Sequence, residues 1–340
     1  LVAVLVTFSM ANTTVYADVL ALKAGHIVNP ETGVIEANKI IIVDGTKIKS
    51  IEDIMPKSGI DRVIDLSDKW VLPGLMDMHM HITYNQANNI PRERADYAIQ
   101  PIRNTAGYRA LVGMHNAQDM LHAGFTTIRD VGNNGNYADS DLVKAMHHGL
   151  FKGPRIVNSG KIISVYGAQS HGISHEVGAP WQFEYIEADS VDEIIKAIRK
   201  NIFYGAQLIK IVVGDQQYEY SLEDMKLIVA EAKKMNMTVA AHAYGDRQVR
   251  NAALAGVTSI EHGDDNVSAD VFKVLAKQGT ILVGTDFPVE HMMAMTGGGK
   301  KWPDAIIQGY NEEQANKILS AKREGVLMAF GTDVMSDMPE

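Results

Sequence analysis

Eight short apolar runs, each followed by a stretch that reads as an amphipathic helix or a turn-rich loop, constrain this 340-residue chain more than any other feature. The runs are LMDMHMHI, TTIRDVG, RIVNSG, LIKIVVG, TVAAHAYG, SIEHGDD, TILVGTD and LMAFGTD. Short runs that are apolar throughout, rather than alternating, suit strands buried on both faces. Strands of that kind separated by helices are parallel βα units, and eight of them predict an α/β fold of (β/α)8 barrel type. The helices carry their own start and stop signals. Ser190 precedes Glu193 by three residues and Ser221 precedes Asp224 by three, the spacing of a capping box. Gly256 closes QVRNAALAG as a helix stop. No repeat of 20 to 50 residues is visible.

The chain is organised in three parts. Residues 1–17 are an apolar run followed by small and polar residues ending in Val-Tyr-Ala, which reads as the core and cleavage site of a signal peptide. The run is too short to span a bilayer. This reading implies a periplasmic or secreted protein without stable membrane insertion. Residues 18–70 hold short β-like runs, VLALKAGHIVNP, KIIIVDGTKIKSIED and DRVIDLS, and predict a small β-sandwich-like domain. Residues 71–340 form the barrel. The eighth run lies close to Glu340, so the chain reads as truncated after strand eight, a fragment lacking the last helix. Two long irregular stretches, 162–187 and 287–310, follow the third and seventh runs and should lie at the C-terminal mouth, where barrel active sites sit.

Composition closes several routes. The net charge is −9 and no basic stripe is present, which argues against a nucleic-acid partner. There is no cysteine, so thiolate metal sites and a cysteine nucleophile are excluded, and any metal must be held by histidine, carboxylate or a less usual group. Twelve histidines are available.

Several polar residues fall within the strands. His79 and His81 lie two apart on the first run and so share a face. Lys210 is in the middle of the fourth, His242 near the end of the fifth, His262 near the end of the sixth, and Asp333 ends the eighth. Singly, each has an ordinary explanation: a hydrogen-bonded core histidine, a snorkelling lysine, a capping aspartate. Jointly they direct six ligand-type groups to one mouth. An ammonium buried beside metal cations is doubly disfavoured, by desolvation and by like charge. Lys210 is therefore expected either to capture CO2 as an anionic carbamate or to pair with a carboxylate such as Asp333.

This set resembles the amidohydrolase superfamily in its binuclear form with a carboxylated lysine. VLPGLMDMHMH, IEHG and AFGTD carry the resemblance; TTIRDVG, IKIVV, VAAHAYG and IEHG narrow it to the imidazolonepropionase-related group, which includes Xaa-Pro-dipeptidase-like and carboxypeptidase-like members. The resemblance implies two divalent cations, zinc first among candidates, with His79, His81 and Asp333 on one, His242 and His262 on the other, and carboxylated Lys210 between them. It also implies a hydrolase acting on a C–N bond of dipeptides or N-acyl amino acids, with Asp333 as base and then acid. Tyr244 becomes a candidate oxyanion donor or a packing aromatic. Members tend to have Gly-Gly-His in the third loop; here the order is Gly167-Ala168-Gln169-Ser170-His171, so His171 is a candidate substrate contact on an altered motif. Arg129 and Asp130 are expected to pair with each other, or else to bind a substrate carboxylate. Alternation should turn Glu261 away from the ligand face. The rival readings are a lactonase, phosphotriesterase or cyclic-amide hydrolase on the same centre, and a non-catalytic metal-binding protein or inactive fragment. Self-association is left open.

Overall fold

The computed structural model describes residues 19–84, 100–133, 135–171, 173–264, 266–286, 288–289 and 303–333. The signal-peptide reading of 1–17 and most of the 287–310 stretch lie outside them. The chain divides into two compact units, with the boundary after Gly74.

The first unit is one four-stranded sheet in the order β3-β2-β1-β4, formed by β1 (Val19–Val28), β2 (Ile35–Asp44), β3 (Lys47–Glu52) and β4 (Arg62–Val71). KIIIVDGTKIKSIED is a hairpin: Asp44 pairs with Lys47 around Gly45, whose φ of 60° suits a residue without Cβ. Ala21, Ile40 and Ile42 face one side as the core of this sheet, packed by Val19, Met55 and Ile60.

The second unit is built from parallel strands: β5 (Leu75–Met80), β6 (Phe125–Asp130), β7 (Arg155–Asn158), β8 (Ile162–Ser164), β9 (Tyr185–Glu187), β10 (Ile209–Val212), β11 (Val239–Ala243), β12 (Ser259–His262), β13 (Ile281–Val283) and β14 (Met328–Ala329). They pair as β5-β6-β7 and as β14-β13-β12-β11-β10-β8-β9. Backbone bonds join the two sheets at both ends. The amides of Gln207 and Leu208 donate to the Asn158 carbonyl, and the Met78 amide donates to the Phe330 carbonyl. All eight expected strands are present. The third is broken in two, since β7 and β8 are separated at Ser159–Lys161, where Gly160 has φ 65°. This corrects the reading of 162–187 as loop throughout. Ile162 and Ile163 are fully buried, so the chain returns to the sheet to bury them, and β9 adds outside β8.

The helices pack on the outside. Both capping boxes form, Ser190 with Glu193 and Ser221 with Asp224, and Gly256 ends its helix in the left-handed conformation at φ 88°. The main core lies between β8 and β10–β13 and the helices outside them, with Ile198, Met225, Ile228, Phe272 and Leu275 fully buried. Each such side chain contributes about 1.5–3 kcal/mol of transfer free energy. Among the described residues no helix is long and apolar enough to cross a membrane.

Candidate metal centre

The strand ends gather His79, His81, His242 and His262 into a cluster of adjoining rings. Ring centroids are 5.4 Å apart for His79–His81, 5.0 Å for His79–His262 and 4.5 Å for His242–His262. All four are buried. Each ring has one nitrogen committed to a protein acceptor. His79 Nδ1 is 2.6 Å from Glu261 Oε2, and His81 Nδ1 is 3.0 Å from the Gly132 carbonyl. His242 Nε2 is 3.2 Å from Asp215 Oδ1, and His262 Nδ1 is 2.8 Å from Thr285 Oγ1. The Thr285 hydroxyl donates to the Gly284 carbonyl, so towards His262 it accepts. This assigns the proton to those nitrogens and leaves the other nitrogen of each ring as a lone pair.

Asp333 completes the first half of the cluster. Its Oδ1 is 3.4 Å from His79 Nε2 and 3.2 Å from His81 Nε2. Yet that oxygen is buried with no hydrogen-bond partner. Two imidazole lone pairs and a carboxylate oxygen thus face one another with no donor among them. Such an arrangement is repulsive unless a cation sits between, and His79, His81 and Asp333 do form a group able to hold one. A histidine and carboxylate donor set with no thiolate fits zinc or a neighbouring first-row divalent ion.

The backbone makes these approaches. His262, Thr285 and Asp333 end β12, run just past β13 and run just past β14, and all three are left-handed, with φ of 73°, 53° and 51°. Non-glycine residues persist there only where the surroundings over-determine them. The Asp333 amide donates to the His79 carbonyl at 2.7 Å, and Asp77 takes the Thr332 hydroxyl at 2.6 Å, which fixes the end of the eighth strand against the first. Two glycines allow close passage. A Cβ on Gly132 would lie 2.8 Å from the His81 ring, and one on Gly331 would lie 2.7 Å from His79 Cβ.

Glu261 overturns the alternation expectation. It points into the barrel, fully buried, beneath His79. Both neighbours can face inward because His262 leaves extended backbone. Arg129 is likewise not paired with Asp130. Its Nη2 meets Glu261 Oε1 at 2.7 Å, its Nη1 meets Ser259 Oγ at 2.9 Å, and its Nε meets the Met78 carbonyl at 2.5 Å. This is a structural network rather than a site for a substrate carboxylate. Burial pushes the Glu261 carboxyl up, but Arg129 and His79 outweigh it and hold the group well below the usual carboxylate range. Asp130 turns elsewhere, accepting from the Ile82 amide, and burial, then Asp139, raises its pKa.

Lys210 is buried on β10. Desolvation brings its amine down to about 8, against the opposing pull of Glu261 and Asp333. The Asp333 carboxylate lies against the His79 and His81 rings. Burial also lowers His242 and His262, in the second case reinforced by His242 itself.

Tyr244 stands with its ring edge-on to His242, centroids 4.6 Å apart, and burial raises its phenol so that it stays protonated. His171 is exposed on the third loop, close enough to Asp215 to act on it electrostatically. The same loop brings in Gln169, whose Nε2 donates to Asp215 Oδ2 at 2.6 Å. Asp215 and Thr285 were not singled out in the sequence, Gln169 was named only as part of the altered third-loop motif, and Glu261 was expected to face away. Only Glu261, next to a histidine within a strand, carried a local signal.

The sequence profile of the amidohydrolase family matches residues 70–339. The chain belongs to the amidohydrolase family. Ochratoxinase of Aspergillus niger is 26% identical, the match covering 79% of this chain and 59% of that protein, so the chain spans little more than half the length of that curated relative. A crystal structure of a Xaa-Pro dipeptidase with bound methionine in the active site superposes with a TM-score of 0.78 at 26% identity, covering 94% of this chain and 80% of that one. A prolidase complexed with N-methylphosphonate-L-proline gives 0.77 at 26% identity, with 94% and 79% covered. The crystal structure of A. niger ochratoxinase, at 23% identity and a TM-score of 0.77, covers 94% and 76% and shares the fold.

Proposed function

We propose that this chain is a binuclear metallohydrolase that cleaves the C–N bond of a dipeptide or an N-acyl amino acid. One observation carries the reading: four rings are each pinned at one nitrogen, and where the other nitrogens of His79 and His81 face Asp333 Oδ1, no donor lies between them. The relatives named a Xaa-Pro dipeptidase, a prolidase and an ochratoxinase agree with a hydrolase of an amide-type bond.

His79, His81 and Asp333 would hold one cation and His242 and His262 the other. Lys210, whose amine burial brings down to about 8 and so partly frees to react with CO2 at neutral pH, would carry a carbamate that serves as a further ligand. Two divalent cations, zinc in the first instance, would supply Lewis acidity and make a water nucleophilic at neutral pH. Asp333 takes the proton of the attacking water and returns it to the leaving nitrogen, a base turned acid. Tyr244, kept as a phenol, donates its O–H to the oxyanion that develops on the scissile carbonyl. His171 contacts substrate at the rim. Residues 1–17 direct the protein to the periplasm or beyond, a reading tested by the mature N-terminus of secreted material.

The test is elemental analysis of the chain purified after growth with zinc and bicarbonate, followed by a panel of dipeptides and N-acyl amino acids with lactones and phosphotriesters as comparators. About two ions per chain and release of free amino acid are expected. No metal in a protein shown to be folded by circular dichroism would refute the reading.

A further inference from the structure

We propose that Lys317 is a positioning residue of the second half of this centre, one that holds His262 in its left-handed backbone so that its ring meets the other ligands. The inference rests on the two-cation reading above. Lys317 lies on the helix Asp304–Arg323 and is only 7% exposed. An ammonium has three N–H groups. Here they go to the His262 carbonyl at 3.1 Å, to the Gly284 carbonyl at 2.9 Å and to Asp264 Oδ1. Asp286 Oδ1 lies 2.8 Å away as a further ionic partner, without a hydrogen bond of its own.

The two carbonyls are the informative contacts. One belongs to His262 itself, the last residue of β12. The other belongs to Gly284, which directly follows β13 and precedes Thr285, whose hydroxyl accepts from His262 Nδ1. His262 and Thr285 are both left-handed, at φ 73° and 53°. For a β-branched residue that conformation is strained and needs an external hold. One buried ammonium ties together the backbone of the ring and the backbone of the group that fixes the ring's proton. A helix that only had to pack would place an apolar side chain here, since a buried charge needs partners to offset its desolvation. Asp264 and Asp286 supply that offset, which leaves the carbonyl bonds as the function of the lysine.

The experiment compares wild type, Lys317→Met, Lys317→Gln and His262→Ala. Each is stripped with chelator and titrated with Co2+ in bicarbonate buffer, following visible d–d absorption and heat. Wild type should take up two ions. Lys317→Met should bind the first unchanged and the second about tenfold or more weakly, as expected when an outer partner of a ligand is lost, and should approach the pattern of His262→Ala. Lys317→Gln, whose amide can still donate to both carbonyls, should recover part of the second affinity. A folded Lys317→Met with wild-type affinity for both ions would overturn the proposal. So would failure of both lysine variants to fold by circular dichroism, because the lysine would then serve the barrel at large. Fewer than two ions in wild type would remove the two-cation reading and this inference with it, whereas two equally bound ions in every lysine variant would remove this inference alone.

Discussion

The two halves of the histidine cluster are built in different ways. His79 lies on β5 and His81 directly after its end, two residues apart, and they are braced from within the barrel by an acceptor-only carboxylate and a backbone carbonyl. The carboxylate of Glu261 is itself locked by Arg129 and Ser259, all buried. His242 and His262 come from two strands. Their braces are Asp215, a partly exposed loop carboxylate shared with Gln169, and Thr285, a hydroxyl on strained backbone. The first half is rigid because its support is dry and charged. The second half depends on loops and on a helix, so it is the half in which binding and geometry can be tuned.

The largest effect should come from the residue nearest to both halves. Asp333→Asn is expected to lower kcat/KM by about 10²–10⁴, the range of a general acid-base group, with added loss from the first cation. A variant retaining more than a tenth of wild-type kcat/KM would remove Asp333 from the chemistry.

Next comes the difference between the braces. Glu261→Gln leaves Arg129 buried without its counter-charge and should cost about 3–5 kcal/mol of stability. Thr285→Val removes a neutral hydrogen bond and should cost about 1 kcal/mol. Both should weaken metal binding by about 10–100-fold, the first at the His79 half and the second at the His262 half. Urea unfolding and Co2+ titration of the two variants would read this directly; equal stability losses would erase the contrast drawn between the halves.

The pH dependence of the metal-free protein tests Lys210. Its folded pKa, about 8, lies below the ordinary 10.5. Between those values the unfolded chain binds more protons, so stability should rise with pH across that window, by an amount on the order of 3 kcal/mol at most. Lys161 is lowered to about 8 in the same direction, so the informative quantity is the difference from Lys210→Met. That variant should lose part of the slope in a Tm series from pH 7.5 to about 10. An unchanged slope would mean that Lys210 is solvated.

The smallest effect is steric. Gly132→Ala would put a methyl group 2.8 Å from the His81 ring and from Ile162 Cδ1, and should cost about 1–3 kcal/mol while weakening the first cation only modestly. A fully stable variant with wild-type Co2+ affinity would show that the ring has room to move.

Much of the architecture could be read from the chain alone because period and punctuation are local. Eight apolar runs became eight barrel strands, and two capping boxes and a glycine stop sat where their spacing put them. The break between β7 and β8 was not legible, because what returns Ile162 and Ile163 to the sheet is burial against distant residues.

The site divides in the same way. The sequence by itself determined which groups could be ligands: His79 and His81 through the two-residue repeat of a strand, and Lys210, His242, His262 and Asp333 through polar residues standing in apolar runs. It did not determine their braces. Glu261 was turned the wrong way because alternation holds only while backbone stays extended, and His262 does not. Asp215, Thr285 and Lys317 are unremarkable in their own segments. They acquire meaning only when strands distant in sequence end side by side, because a hydrogen bond to an imidazole depends on position in space and leaves no trace in spacing along the chain.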